Sequence, residues 1–237
     1  MRVFLAGATG AIGRRLVPLL VRAGHEVTGT TRSAAKAREL ERAGVMPAVV
    51  DVFDAPAILA AVRAARPEIV IHQLTDLPQD RTQAAAFYPN NTRIRTEGTR
   101  NLVAATRAAA ARRFIVQSIA FAYAPGGEPH PETDPLNLDD PVRAVTVKGA
   151  ADMERQVLAA PGVEGVVLRY GLLYGPGTWY AAASPKPALH VDAAAHAALL
   201  ALTRGAPGIY NVADDDGVVS IAKARADLGF DPDFRLP

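Results

Sequence analysis

The most constraining feature of this chain is a run of spaced glycines that directly follows its first apolar stretch. Residues 2–6, RVFLA, have the length and composition of a buried strand, and Gly7, Gly10 and Gly13 then follow as G-x-x-G-x-x-G. An apolar pattern with helical spacing comes next, over residues 12–23. Glycines between a strand and a helix let the backbone approach a pyrophosphate at the positive N-terminus of that helix. The opening therefore predicts a dinucleotide-binding βα unit.

The rest of the chain alternates short apolar stretches with helical ones, a pattern typical of a parallel sheet covered by helices on both faces. The predicted strands are 2–6, 26–31, 46–51, 68–73, 113–118 and 165–170, separated by predicted helices 12–23, 34–43, 55–65, about 83–110 and about 141–160. We therefore expect a single α/β domain over residues 1–237, a doubly wound parallel sheet of the Rossmann type. A helix at 192–203, a strand at 208–212 and a helix at 219–228 are expected to form a small C-terminal substrate lobe, within about 171–237, beside the sheet.

The composition excludes several classes of function. Basic residues are scattered, aromatic residues make up 6% and the formal net charge is +2, so no basic-aromatic surface for nucleic acid is indicated. The chain has no cysteine, which excludes disulfides and thiolate nucleophiles, and its five histidines show no metal-ligand spacing. No apolar segment reaches the length of a membrane span, and the N-terminal one is too short for a signal peptide. These observations predict a cytoplasmic protein with no nucleic-acid, membrane or metal partner.

The end of the second predicted strand indicates which dinucleotide is preferred. A carboxylate there would bind the adenosine ribose of NAD, but the chain has Thr31, Arg32 and Ser33. Arg32 can pair with the 2′-phosphate of NADP and stack on adenine, and Arg14 could add charge. We therefore favour NADP(H), with NAD(H) as the option if Arg32 is only a solvated loop residue. Asp51, after the third strand, either reaches the adenine edge or caps a helix.

Several motifs in order resemble one family. GATGAIG at 7–13 is followed by VVDVFD, IVIHQLTD, EGTRNLVAAT, RFIVQSIAFAYAP, LRYGLLYGPGT and GIYNVAD. Together they resemble the extended and atypical short-chain dehydrogenase/reductases, the NAD(P)-dependent epimerase/dehydratase family. Sequence position and resemblance together predict cofactor contacts from Gly7, Thr9, Gly10, Ala11, Ile12, Gly13, Arg14, Thr31, Arg32, Ser33, Asp51, Val52, Gln73, Leu74, Thr75, Gln117, Lys148, Tyr170 and Gly171.

The family's catalytic pattern is incomplete in this chain. The resemblance implies a serine or threonine with a tyrosine acid and a lysine spaced Y-x-x-x-K, but no tyrosine here has a lysine four residues later. Lys148 matches the family lysine, while Ala144 stands at the tyrosine position. Lysine is scarce in the chain, occurring only at Lys36, Lys148, Lys186 and Lys223. We therefore expect Lys148 to contact the cofactor, an ordinary helix-surface lysine being the alternative.

Two further residues are candidates for catalysis. Ser118 matches the first serine at the end of the family's fifth strand, although the usual catalytic position falls on Ile119. Tyr123 lies just beyond that strand, at the sheet edge where open α/β sheets bind ligands, and is the first candidate for a relocated acid. For both side chains, local packing and hydrogen bonding are the alternative.

The sequence thus predicts an NADP(H)-dependent oxidoreductase that acts on a small or sugar-like carbonyl or alcohol. A non-catalytic NADP(H)-binding sensor is the first alternative, because the tyrosine is missing. A nucleotide-sugar epimerase or dehydratase is the second, although it would favour a carboxylate after the second strand. A homodimer is one option for the assembly, since the fourth and fifth helices commonly pair in similar proteins.

Overall fold

The computed structural model describes residues 1–78 and 80–236. Its strands are β1 (Arg2–Ala6), β2 (Glu26–Thr31), β3 (Met46–Val49), β4 (Ile69–His72), β5 (Arg113–Ile119), β6 (Glu164–Tyr170), β7 (Leu172–Tyr174), β8 (Ala188–His190) and β9 (Gly208–Val212). Its α-helices are α1 (Ala11–Arg22), α2 (Ala34–Arg42), α3 (Ala55–Ala65), α4 (Ala84–Arg93), α5 (Thr99–Ala108), α6 (Ala144–Leu158) and α7 (Val191–Leu200). Shorter helical segments are Arg81–Gln83, Ile94–Gly98, Ala120–Ala122 and Ala224–Leu228.

Seven of the strands form one parallel sheet in the order β3-β2-β1-β4-β5-β6-β9. The chain winds outward from β1 in one direction to β3 and then in the other direction from β4. In open sheets of this kind, ligands bind where the strand order reverses, outside the carboxyl ends of the strands. The doubly wound α/β fold predicted from the sequence is confirmed.

The central strands β1 and β4 are buried on both faces of the sheet, which explains why their sequences are almost continuously apolar. Successive side chains of a strand point to opposite faces. In β1, Val3 and Leu5 pack in one cluster with residues of α1 and α7. Phe4 and Ala6 pack in the other cluster with residues of α3, α5 and α6. Each strand therefore joins the two halves of the core.

The C-terminal elements correct one expectation. Strand β9 pairs in parallel with β6 as the last strand of the main sheet, and its Tyr210 and Val212 are fully buried there. Helix α7 packs against α1. The prediction that these pieces form a lobe beside the sheet is wrong, because β9 is apolar enough to extend the sheet and bury both of its faces. Outside the main sheet lie the two-stranded sheet β7-β8 and the loop between its strands.

The predicted helix 83–110 is a helical run of mixed type. Between α4 and α5 the backbone takes a π-helical turn over Ile94–Gly98, so the two helices continue into each other. Turns of this type are frequent at functional sites because they re-aim side chains.

The terminal helix is shorter than predicted and begins at residue 222 rather than 219. Within residues 1–78 and 80–236, no helix has both the length and the apolarity that crossing a bilayer requires.

Candidate cofactor and active site

A cavity of about 830 Å³ runs along the carboxyl edge of the sheet. One end, here called the glycine-turn end, is lined by Gly7, Thr9, Gly10, Ala11, Ile12 and Arg14. The other, here called the β5–β6 end, is lined by Ser118, Ile119, Phe121, Tyr170, Trp179 and Tyr180. This volume lies in the range of small-molecule and cofactor sites. Nearly all the predicted cofactor contacts line this cavity; Gly13 and Lys148 do not.

The glycine-turn end is shaped by a close approach of the backbone. Gly7 has φ +93°, and a Cβ there would lie 2.7 Å from the carbonyl oxygen of Gln73. Helix α1 begins after Gly10 with no side-chain cap, which leaves its first N–H groups without a side-chain partner. Such a turn is an anion site of the kind that holds a pyrophosphate. The residues present therefore fit a dinucleotide.

Gly13 has a packing role and not the predicted role of a cofactor contact. A Cβ on Gly13 would lie 2.2 Å from the carbonyl oxygen of Gly7 and 2.6 Å from the carbonyl carbon of Ala8. Gly13 is buried and does not line the cavity. The prediction of a direct cofactor contact is therefore corrected: Gly13 lets α1 pack closely on the turn that does face the cavity.

The residues directly after β2 form a polar wall of the cavity, and none of them is an aspartate or a glutamate. Thr31, Arg32 and Ser33 line the cavity, and so does Lys36 in the first turn of α2. Arg32 is exposed and its Nη2 lies 3.2 Å from Oδ1 of Asp76, in the loop after β4. Lys36 was missed by sequence reasoning, although a basic residue one turn into the helix after β2 was the available signal.

Asp51 is held in its own loop. Its Oδ1 accepts a hydrogen bond from the backbone N–H of Phe53 at 2.9 Å, and its side chain lines the cavity. The cap of α3 is Asp54, whose side chain accepts a hydrogen bond from the backbone N–H of Ala57, so Asp51 is a loop residue that stabilises the turn after β3. That Asp51 reaches the adenine edge stays a prediction. On the far side of the cavity Gln73 also lines the wall, and its Oε1 is buried without a hydrogen-bond partner among the described residues.

A buried hydrogen-bond network lies beneath the β5–β6 end. Ser118 Oγ donates to Glu154 Oε1 at 2.6 Å, and Glu154 is paired with Arg169, whose Nη2 lies 2.7 Å from Oε2. Arg169 Nη1 donates to the Tyr123 hydroxyl at 2.8 Å, which in turn donates to Asn211 Oδ1 at 2.7 Å. Although burial alone would lower it, the Glu154 carboxylate holds the pKa of Arg169 above its ordinary value. Each of these groups has its partner inside the protein.

Tyr123 belongs to this network and not to the cavity. After Ile119 the chain turns through the short helix Ala120–Ala122, and the Tyr123 ring stacks on His130 with centroids 5.1 Å apart. Burial raises the pKa of its hydroxyl, which does not line the cavity. The prediction that Tyr123 is the relocated acid is corrected, because its hydroxyl is held between Arg169 and Asn211. Ser118 does line the cavity, and its hydroxyl donates a hydrogen bond to Glu154.

Lys148 lies on the outer face of α6. Its side chain is 59% exposed and its Nζ is 3.5 Å from Asp139, which is itself almost fully exposed. The neighbouring Gly149 sets this orientation, since a Cβ there would lie 2.9 Å from the Thr92 side chain and only glycine allows α6 to approach α4 so closely. None of residues 144–158, all of which the structure describes, lines the cavity. The prediction that Lys148 contacts the cofactor is therefore corrected.

Tyr170 is a structural residue of the cavity wall. Its hydroxyl donates to the Ala194 carbonyl oxygen at 3.2 Å and accepts from Gln73 Nε2 at 3.2 Å. Burial raises the pKa of Tyr170 well above its ordinary value. A tyrosine held in this way is a poor proton donor to a ligand, so Tyr170 shapes the β5–β6 end and orients Gln73.

Besides Tyr170, three aromatic residues line the β5–β6 end: Phe121, Trp179 and Tyr180. Trp179 Nε1 donates to the carbonyl oxygen of Pro78 at 2.7 Å, which ties the loop after β7 to the loop after β4. The Arg81 guanidinium lies 5.2 Å from the centre of the Tyr180 ring. Sequence reasoning missed Trp179 and Tyr180 as site residues, although the segment GTWY after the sixth strand contains the chain's one tryptophan.

Arg95 is a further residue that sequence reasoning missed. It comes from the π-helical turn, is nine-tenths buried and lines the cavity. Its Nη1 donates to the carbonyl oxygen of Thr146 in α6 at 3.1 Å. The guanidinium thus lies between the α4–α5 segment and the helix that follows β5.

Relatives of known description agree with this fold. A protein of Streptomyces sp named 3-diazoavenalumate denitrifying reductase is 45% identical over 238 residues, which cover 91% of this chain and 77% of that protein. A dTDP-4-dehydrorhamnose reductase of Streptomyces griseus is 30% identical over 181 residues, 74% of this chain and 51% of that protein. The solved UDP-glucose 4-epimerase of Thermotoga maritima, 17% identical, has a TM-score of 0.81 over 99% of this chain and 94% of its own.

The family model described as the NAD dependent epimerase/dehydratase family matches residues 3–188, most of the chain. The match covers the glycine turn, the strands from β1 to β7 and both sides of the cavity. Both of these Streptomyces relatives carry reductase names. The chain is a nicotinamide-dependent oxidoreductase that belongs to the NAD dependent epimerase/dehydratase family.

Proposed function

We propose that the chain is an NADP(H)-preferring reductase whose substrate is an aromatic diazonium ion, which it converts to the arene with loss of N₂. The observation that carries this proposal is the β5–β6 end itself. It has an aromatic wall, but Ala144 stands at the family's tyrosine position and Lys148 is exposed to solvent. The site thus lacks the tyrosine–lysine pair that protonates a reduced carbonyl oxygen.

A diazonium substrate makes the missing pair understandable. Reduction of a carbonyl creates an oxyanion that needs a proton, whereas displacement of N₂ from a ring carbon creates none. When bound, NADPH supplies the hydride, so that an aryl diazonium ion and NADPH give the arene, N₂ and NADP⁺ with atoms and charge balanced. The Streptomyces relative named 3-diazoavenalumate denitrifying reductase, 45% identical over 91% of this chain, supports this substrate class.

The chain's own residues bind and orient the two ligands in this proposal. The backbone of the turn from Gly7 to Gly10 holds the pyrophosphate, and Arg32, Ser33 and Lys36 surround the 2′-phosphate. Phe121, Trp179 and Tyr180 provide flat surfaces on which an aromatic ring stacks. The apolar side chains of this wall keep water away from the reacting carbon. Water would otherwise compete with the hydride for the diazonium ion.

Carbonyl reduction is the second candidate function, and one observation favours it. Tyr180 lines the β5–β6 end, and its hydroxyl is the candidate proton donor there once Tyr123 and Tyr170 are engaged in the interior. The relative named dTDP-4-dehydrorhamnose reductase, 30% identical over 74% of this chain, supports a sugar-like substrate of the kind the sequence suggested.

The two functions are separated by the Tyr180→Phe variant and a labelled cofactor. We expect the purified protein to oxidise NADPH with 3-diazoavenalumate, to release N₂ and to transfer deuterium from labelled NADPH to the ring. Tyr180→Phe should keep kcat within about twofold, because no proton is delivered to the substrate. The proposal fails if the diazo compound is not reduced while dTDP-4-dehydrorhamnose is, with a loss of about 100-fold in Tyr180→Phe. Binding of NADPH without reduction of either substrate would favour the sensor hypothesis.

A further inference from the structure

Arg95 is a buried cation that lines the cavity and has no direct contact with a carboxylate of the described residues, although the charge of Glu154 partly offsets the effect of burial on its pKa. It is nine-tenths buried, and its one hydrogen bond among the described residues runs from Nη1 to the Thr146 carbonyl oxygen at 3.1 Å. No carboxylate of residues 1–78 or 80–236 lies within 4.0 Å of it. A guanidinium has five N–H donors in a fixed planar arrangement, so most of its hydrogen-bonding capacity remains for a ligand.

A comparison with Arg169 shows how unusual this is within the same protein. Arg169 is also buried, but two of its nitrogens bind Glu154 and a third binds the Tyr123 hydroxyl. Burial lowers the pKa of Arg95 to about 10, a value at which the group is still charged at neutral pH. A buried charge without a partner is costly unless something else stabilises it. The side chain is therefore better explained by a ligand than by the stability of the fold.

The position of Arg95 separates it from the glycine turn, where the pyrophosphate of the cofactor is expected. The glycine turn and α1 lie on one face of the sheet, with Ile12 and Leu16 in the core cluster of that face. Ile94, beside Arg95, packs in the cluster of the opposite face with residues of α3, α5 and α6. The 2′-phosphate region is surrounded by its own cations, Arg32 and Lys36. Arg95, which is hydrogen-bonded to α6, is thus available to bind the substrate.

We propose that Arg95 binds a carboxylate of the substrate, so that the enzyme selects aromatic acids over their neutral analogues. This inference rests on the proposed function in placing an aromatic substrate against Phe121, Trp179 and Tyr180. The planar guanidinium matches a carboxylate through two parallel N–H···O bonds. The aromatic wall holds the ring, and Arg95 fixes its direction in the cavity. Arg95 is in this sense a specificity residue and takes no part in moving the hydride.

The test is a binding measurement that needs no turnover. We expect the NADP⁺-loaded wild-type protein to bind trans-cinnamate at least about tenfold more tightly than trans-cinnamamide in calorimetric titrations, since the two have nearly the same shape but the amide lacks the charge and the second acceptor oxygen. Arg95→Gln should remove this preference and leave the affinity for cinnamamide and for NADPH within about twofold. Arg95→Lys should recover part of the preference, because it keeps the charge and loses the planar pair of bonds.

Arg100→Gln is the matched control, because Arg100 is an exposed arginine on the same helical run. It should bind cinnamate like the wild type. The proposal is overturned if the wild type binds both compounds equally, or if Arg95→Gln weakens NADPH as much as cinnamate. If Arg95→Gln does not fold, the wild-type preference and the Arg95→Lys variant still decide. An intact cinnamate preference together with unreduced diazo compound would reject the proposed function alone.

Discussion

The two ends of the cavity are built in different ways. At the glycine-turn end the binding surface is shaped mainly by the backbone, because Gly7, Gly10 and Gly13 lie within one short stretch. At the β5–β6 end the surface is made of side chains from three separate parts of the chain, including Phe121 and Trp179. The first kind of site is encoded locally and serves a cofactor shared by many proteins. The second depends on how helices and loops pack, and it is where this chain departs from its family's pattern.

The largest expected effect comes from breaking the support beneath the β5–β6 end. Glu154→Gln leaves Arg169 as a buried charge with no anionic partner, which should lower the free energy of unfolding by about 3–5 kcal/mol. Urea denaturation followed by circular dichroism measures this. Glu97→Gln removes a carboxylate from a more exposed helix pair with Arg93 and should cost less than about 1 kcal/mol. Equal losses in the two variants would show that the buried network does not support this end.

Gly13→Ala tests the glycine-turn end and should have the next largest effect. The added Cβ would lie 2.2 Å from the Gly7 carbonyl oxygen, so α1 must move away from the turn. We expect a loss of about 3 kcal/mol in stability, from overpacking, together with severely weakened NADPH binding. Gly127→Ala is the control, since a Cβ there meets no atom within 4 Å. Unchanged NADPH affinity in Gly13→Ala would contradict a binding surface made of backbone.

Arg32→Ala sharpens the comparison by testing the one side chain on which the cofactor preference mainly rests. Loss of a charge-assisted contact to the 2′-phosphate should weaken NADPH by about tenfold and leave NADH almost unchanged. Fluorescence titrations with both cofactors measure the ratio. Because Arg32 is exposed and Asp76 already lies 3.2 Å away, a larger effect is not expected. An equal loss for NADH would mean that Arg32 stacks on adenine without selecting the phosphate.

Lys148→Ala should have the smallest effect. The side chain is 59% exposed and its neighbour Asp139 is solvated, so kcat, KM for NADPH and stability should all stay close to the wild-type values. Steady-state kinetics and a thermal melt of Lys148→Ala, measured together with those of Arg95→Gln, compare an exposed cation with a buried one. A clear rise in KM for NADPH with Lys148→Ala would show that α6 rotates when ligands bind.

The sequence predicted the fold and the glycine-turn end because both depend on local patterns. Alternating apolar stretches identified β1 to β6, and the missing carboxylate after β2 directed attention to Arg32. Lys148 was assigned from its position relative to a motif, but the rotation of α6 is set by the contact between Gly149 and Thr92, which no pattern reveals. Arg95 was missed because its orientation depends on a single π-helical turn.

Tyr123 and β9 were misplaced for a related reason. Whether a tyrosine at the end of a strand faces the cavity or the core depends on the short helix after β5, and its partners Arg169 and Asn211 come from distant strands. The strand 208–212 has the same apolar composition in a lobe or in a sheet. Its place beside β6 is decided by the exposed edge that β6 offers.

The hydrogen bond from Trp179 to Pro78 has a practical consequence. Trp179 is the chain's one tryptophan, and its ring lies in the wall of the cavity with its nitrogen tied to the opposite loop. All indole fluorescence of the protein therefore originates at the site, with no background from elsewhere in the molecule. Reduced nicotinamide absorbs where indole emits, so the protein carries its own optical reporter. Quenching and a spectral shift can follow cofactor and substrate separately as each one enters.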